Sequence, residues 1–191
     1  MIRNRRELNE FLIADSKNYK SQLGYYQSMK NNLLCDPISD QQYIWKYIVA
    51  LRHVEWCLNG KGIWRHLIMR LYWLRKLRKL SYITGFQIPP NTCGKGLTIW
   101  HWGAIIINQA VRIGDNCTLY PGVLLGHKSP EDGRCPIIGN NAFIGSGTKI
   151  IGDVKIGNNV TIGQNCVITH NVPDNTIIVV NNKENRILQK K

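Results

Sequence analysis

Six isoleucines, Ile138, Ile144, Ile150, Ile156, Ile162 and Ile168, recur at every sixth position without a break. An amphipathic helix repeats every ~3.6 residues and a half-buried strand every ~2, so neither explains a strict six. A triangular coil does: one short strand per side and three hexads per turn, each aliphatic side chain stacking inward on its equivalents in neighbouring coils. The beat extends upstream through Ile107, Ile113, Leu119 and Leu125. A small or β-branched residue stands two positions before each isoleucine from 144 onward (Ala142, Thr148, Val154, Val160, Cys166). This second inward slot also holds Cys117, so Cys117 and Cys166 are expected to be packing residues. Gly139, Gly145, Gly157 and Gly163 follow four of the isoleucines directly and are expected at corners, where turn geometry favours glycine.

Breaks in a solenoid repeat mark projecting, functional insertions. One lies between Leu125 and Ile138, thirteen residues where two hexads would give twelve, and reads GHKSPEDGRCPII. Its Pro, Gly, Ser and Asp content marks an exposed loop. A second lies between Ile99 and Ile107, where the register slips by two residues; His101 sits in that slip, between Trp100 and Trp102. An irregular coil beside a protruding loop is expected to form a pocket.

The first 84 residues keep a different period. LNEFLIADSKNYKSQL and DQQYIWKYIVALRHVEWCL space apolar residues three and four apart, as helices with one buried face do. DPISDQQ supplies Pro37 and the candidate N-caps Ser39 and Asp40 as a start signal. Across residues 61–84, Leu67, Leu71 and Leu74 share one face with Ile68 and Tyr72 nearby, while Arg65, Arg70, Arg75, Lys76, Arg78 and Lys79 fill the rest. Such a helix usually packs on its neighbours and keeps a solvated basic rim; it can also lie on an anionic membrane surface.

A net charge of +13 implies a polyanionic partner: nucleic acid, an acidic membrane face, an acidic glycan or a phosphorylated cofactor. No nucleic-acid recognition motif is present, so nucleic acid is not expected. The N-terminus lacks an apolar secretory region, and no stretch of about twenty apolar residues could span a bilayer. Six cysteines without paired zinc spacing read as free thiols in a reducing cytoplasm.

Residues 85–180 resemble the left-handed β-helix, or hexapeptide-repeat, acyltransferases, in their serine-acetyltransferase-like branch. IPPNTCGKGLTIWHWGAIIINQAVRIGDN, GVLLGHKSPEDGRCPIIGNNAFIGSGTKIIGDVKIGNNVTIGQNCVI and NVPDN match that branch in order. The His-x-Gly pattern followed by apolar residues and asparagine, with Cys-Pro ending the loop, is most similar to the enzymes of capsule and colanic-acid synthesis. Those acetylate surface-polysaccharide sugars or their precursors. The resemblance implies a mainly β fold: a left-handed parallel β-helix (85–180) preceded by a smaller α-helical N-terminal domain (1–84) and followed by a tail (181–191). It further implies acetyl-CoA as co-substrate, no metal, and a homotrimer with active sites between adjacent β-helices; whether trimers pair is left open. Peripheral contact with the inner face of the membrane is compatible with the basic helix.

The family's general base falls on His101. Three positions depart from true serine acetyltransferases: the aspartate before the base is Trp100, the second catalytic histidine is Cys135 beside a retained Arg134, and the aspartate that would orient the base is Gln87. These changes argue against free serine as acceptor, and Trp100 or Trp102 offers a stacking surface for a sugar ring. His127 in the loop completes the expected acceptor side. For CoA, the resemblance points to Ser146, Gly147 and Thr169 along a groove between subunits, with His170 close to the end of the coil. Lys149, Lys183 and Arg186 are candidates for its phosphates. The family's Gly-x-Pro-Ala-Arg after the coil is replaced by VVNNKENRI.

Acetyl transfer from a thioester to an alcohol needs few protein groups. A thiol with pKa about 8.5 leaves readily as thiolate, so the acceptor hydroxyl is the partner that needs help. An imidazole, titrating near 6.5, is mostly neutral in the cytoplasm and suits a general base. The tetrahedral oxyanion needs N–H donors, for which the turn at Gly126 is the candidate. The expected function is therefore an O-acetyltransferase acting on a surface-polysaccharide sugar or its precursor; serine O-acetyl transfer in cysteine synthesis is the alternative. A zinc carbonic anhydrase on the same fold needs three converging histidines, and His101, His127 and His170 lack that spacing.

Overall fold

The computed structural model describes residues 1–17, 19, 41–60, 63–129, 131, 133–181 and 184–189. It comprises two compact units, Met1–Thr84 and Gly85–Lys191. The first is helical. Helix α1 (Arg5–Ser16) begins at Asn4, whose side chain accepts from the Glu7 amide at 2.9 Å, satisfying one of the amides that a helix start leaves open. Helix α2 (Gln41–Asn59) buries Ile44, Tyr47, Ile48, Leu51 and Val54, the i, i+3, i+4 face read from the sequence. On the same helix Arg52 is wholly buried; it donates to Asp15 of α1 at 2.7 Å and to Glu55 at 3.0 Å. Buried charge persists only when paired in this way. Pro37, Ser39 and Asp40 lie outside the described residues.

Helix α3 (Ile63–Thr84) corrects the sequence reading of its apolar face. The side turned inward carries Leu77, Leu80 and Thr84, with Trp73 stacked on the His53 ring of α2 at 4.0 Å. Of the group picked out by spacing, Leu67, Ile68, Leu71 and Tyr72 are exposed and Leu74 is half-buried. The helix has apolar residues on two sides, and the side with the stacking tryptophan is the one that packs.

The second unit is a three-sided parallel β-helix. Strands β1 (Phe86–Gln87), β3 (Ile105–Ile107), β6 (Leu124–Gly126), β9 (Lys149–Ile151) and β12 (Val167–Ile168) form face one. Face two holds β4 (Arg112–Ile113), β7 (Ile137–Ile138) and β10 (Lys155–Ile156). Face three holds β2 (Thr98–Ile99), β5 (Thr118–Leu119), β8 (Phe143–Ile144), β11 (Thr161–Ile162) and β13 (Thr176–Asn181), with β14 (Glu184–Gln189) added antiparallel at its edge. Register stacks Ile107, Leu125, Ile150 and Ile168 on face one, Ile113, Ile138 and Ile156 on face two, and Ile99, Leu119, Ile144, Ile162 and Ile178 on face three. All are buried, as are Cys117, Ala142, Thr148, Val154, Val160 and Cys166 in the small slot.

The corners work differently from expectation. Left-handed backbone at the corner between faces two and three is taken by Gly96 (φ 76°) in the first coil and then by asparagine: Asn116, Asn141, Asn159 and Asn175 have φ of 56°, 56°, 57° and 56°. Their amides form a ladder, each Nδ2 donating to the Oδ1 one coil on at 3.3, 2.9 and 3.0 Å. Short polar side chains tolerate this conformation best among non-glycine residues. Gly139 is glycine for a different reason: a Cβ there would stand 2.7 Å from the carbonyl of Gly157 in the next coil. The glycines after the isoleucines let successive coils approach.

Candidate active site

Both breaks in the hexad beat flank face one. Neighbouring faces are normally six residues apart along the inward column, but Ile99 and Ile107 are eight apart, and the two extra residues widen the corner between faces three and one. Leu125 and Ile138 also sit on consecutive faces. Their thirteen-residue separation is therefore a seven-residue insertion at the corner between faces one and two, larger than the single-residue excess over two hexads inferred from the sequence.

His101 occupies the widened corner with φ +63° and is exposed. That left-handed backbone costs about 1–2 kcal/mol for a residue with a Cβ. Trp100 leaves β2 half-buried, its amide donating to the Leu119 carbonyl at 3.1 Å, and Trp102 is 46% exposed. Small residues stack beneath. The Gly122 amide donates to the Ala104 carbonyl and the Gly147 amide to the Pro121 carbonyl, while Ser146 Oγ donates to Pro121 at 2.8 Å. Lys149 is exposed, its Nζ 3.2 Å from the Gly147 carbonyl. This corner thus gathers His101, Trp100, Trp102, Ser146, Gly147 and Lys149. Gln87, exposed on β1, pairs in register with Ile106 of β3 on face one.

The loop corner gathers the rest. Gly126 ends β6, and its carbonyl accepts from the Gly152 amide at 2.9 Å. His127 follows, exposed, with Nδ1 accepting from the Asn108 side-chain amide at 3.2 Å. Arg134 pairs with Asp153 at 3.0 Å, both exposed. Cys135 is buried where the loop rejoins the coil, and the Pro136 carbonyl after it accepts from Arg112. Thr169 and His170 are exposed at the end of β12, along the same edge. Lys183 lies outside the described residues, and Arg186 falls on β14.

Within one chain these two groups do not meet. Five residue steps, from Gly103 to Asn108, separate them across face one, about 16 Å at ~3.3 Å per step. Among the described residues of one chain the irregular coil and the loop do not adjoin, because the extra residues precede β3 and follow β6, at opposite edges of face one. Spacing alone could not reveal Asn108 and Asp153, the partners of His127 and Arg134. Nor did it flag Tyr120 and Phe143: their rings lie 5.3 Å apart on face three, and Tyr120 stands in register one coil below Trp100.

Neither buried small-slot thiol is suited to nucleophilic work. Burial pushes the Cys117 thiol up to about 11 and raises that of Cys166. Among the described residues no His/Cys/Asp/Glu cluster could hold a metal ion.

A face-stacked parallel coil with isoleucine hexads, a widened histidine corner and a projecting loop defines the class of hexapeptide-repeat transferases. The bacterial transferase hexapeptide family (six repeats) matches residues 135–170. A serine acetyltransferase of Bacillus pumilus is 31% identical over 168 residues, which cover 81% of this chain and 74% of the relative. The chain belongs to the hexapeptide-repeat acetyltransferases of the serine acetyltransferase type. It spans only 60% of the length of the Staphylococcus epidermidis serine acetyltransferases, which are 42% identical over 128 residues and 62% of this chain. The soybean serine acetyltransferase apoenzyme is 25% identical with a TM-score of 0.66, covering 95% of this chain and 69% of that one. A serine acetyltransferase in complex with CoA shares the fold at 19% identity and a TM-score of 0.68, covering 96% and 71%. The coil is accordingly a left-handed β-helix, preceded by a helical region.

Proposed function

We propose that this chain is an acetyl-CoA-dependent O-acetyltransferase with His101 as general base. One observation carries the reading: an exposed histidine on left-handed backbone at a corner widened by two residues. His101 takes the acceptor hydroxyl's proton as the oxygen attacks the thioester carbonyl. The C–S bond breaks as the oxyanion collapses, sulfur leaves as a thiolate, and the imidazolium returns the proton to it. Ser146, Gly147 and Lys149 beside His101 would hold the pantetheine arm and a phosphate, and a relative of this fold carries CoA. Thr169 and Arg186 lie farther along the coil on this reading. Because the His101 and loop corners are about 16 Å apart along face one, the site is completed by a second copy, as in the homotrimer the family resemblance implies. Gly126, His127, Arg134 and Cys135 then come from the neighbour. Use of acetyl-CoA places the protein in the cytoplasm. The helical 1–84 region is an appended domain to the catalytic 85–180 region.

Two acceptors have specific support. The relatives' own activity supports serine. Against it stand Gln87, Trp100 and Cys135 at positions where serine acetyltransferases carry charged or imidazole groups, and an Arg134 already engaged by Asp153. Trp100, next to His101 in the chain, and the Tyr120 and Phe143 rings in the coils stacked on β2 offer a stacking face for a sugar of a surface polysaccharide or its precursor. Thiol release from acetyl-CoA with serine and with a panel of sugars decides between them. In either assay His101→Ala should lower turnover about 10²–10⁴-fold with an unchanged circular dichroism spectrum; a loss under tenfold would reject His101 as the base.

A further inference from the structure

The helical unit carries a surface that acetyl transfer does not use. Along α3, Ile68, Tyr72, Arg75, Lys79 and Tyr82 stand three or four residues apart and share one stripe. Ile68 is 75% exposed, Tyr72 58%, Leu71 48% and Tyr82 84%. Ile68, Leu71, Tyr72, Arg75, Lys76 and Lys79 line an open groove of about 500 Å³. No acidic residue occurs from Ile63 to Thr84. Among the described residues, no carboxylate pairs with Arg70, Arg75, Lys76, Arg78 or Lys79; Lys76 instead lies over the Tyr72 and Trp73 rings.

Charge and apolarity together select the occupant. A simple polyanion would neutralise the cations and leave Ile68 and Leu71 in water. A second copy of α3 would cover the apolar residues and set unpaired cations against unpaired cations. An anionic lipid surface satisfies both. Ile68 and Leu71 enter the acyl boundary, Tyr72 and Tyr82 sit at headgroup depth, and Arg75 and Lys79 reach lipid phosphates along their aliphatic stems. We propose that α3 docks this protein on membranes rich in anionic lipid. The inference rests on the helical unit alone and stands whether or not His101 is a base.

Co-sedimentation of the full chain with phosphatidylglycerol–phosphatidylcholine vesicles, against phosphatidylcholine alone, tests it. Binding is expected only to the anionic vesicles. It should fall at least tenfold in R75E/K79E and in I68S/Y72S, persist in R75K/K79R, and be untouched in His101→Ala. All substituted side chains are exposed, and circular dichroism checks that each variant folds. No binding to the anionic vesicles overturns the proposal. So does full binding by I68S/Y72S, which would mean adsorption by charge alone. Smaller assemblies formed by either variant in sedimentation velocity would mean that a second copy covers this face, and would overturn it too.

Discussion

At Cys117 a single buried thiol ties stability to pH. Its side chain is 1% exposed, its Sγ lies 3.3 Å from the Gly139 carbonyl, and burial pushes its pKa up to about 11. An unfolded chain releases this proton near 8.5–9, whereas the folded chain holds it, so the group's stabilisation is complete below about pH 9 and lost as pH rises through about 11. Two pH units of such linkage correspond to about 3 kcal/mol. Urea unfolding at pH 8 and pH 11 should therefore show the wild type losing about 2–3 kcal/mol more than Cys117→Ala; equal losses would refute the assignment. The packing role of Cys117 is legible in the sequence because it occupies a slot in a fixed beat. His101 stands out for the opposite reason, as a break in that beat. The contact between Asn108 and His127 spans nineteen residues and one full coil, and a period of six says nothing about side chains that meet across coils at a corner.

Repeat elements reveal their inward column plainly and their corners poorly. Hexad spacing identifies the stacked column from Ile107 to Ile168 because burial acts on one side chain per strand; Ile99 and Ile178, which stack with it on face three, lie off the beat. It assigns Gly139, Gly145, Gly157 and Gly163 to the turn positions, although left-handed backbone falls to asparagines and to other glycines such as Gly96, Gly122 and Gly147, and Gly139 serves close coil approach. Gly139→Ala should lower unfolding stability by about 1–3 kcal/mol, since the two nearest atoms its Cβ would meet, the Gly157 carbonyl carbon and oxygen, are backbone and cannot step aside. Gly133→Ala, with nothing within 4 Å of the added carbon, should stay within about 0.5 kcal/mol of wild type. Similar midpoints for the two variants would show that coil approach is not what fixes glycine at 139. Spacing also misreads α3, because an apolar stripe on a helix says only that some surface awaits a partner. Tertiary packing through Trp73 and Leu77 takes the other side.

For the whole molecule, the decisive quantity is the width of face one. A site that needs both the His101 corner and the loop corner cannot close within one chain about 16 Å across; in a cyclic assembly each site draws its histidine from one copy and its loop from the next. Two inactive chains can then repair each other. One carries His101→Ala; the other carries Arg134→Asp with His127→Ala, which removes two loop side chains and leaves the coil's inward column intact. Mixed after unfolding and refolded together in equal amounts, they assemble at random. A site is whole when its histidine comes from the loop variant and its loop from the histidine variant, so about one site in four should work. Recovery of roughly a quarter of wild-type acetyl transfer, absent when the two are refolded separately and then combined, is the expected result. Zero recovery with both variants folded, or undiminished activity of the loop variant alone, would mean that one chain builds its site without its neighbour. The sequence could not settle this, because it locates both breaks in the repeat without saying that one precedes β3 and the other follows β6, at opposite edges of the same face.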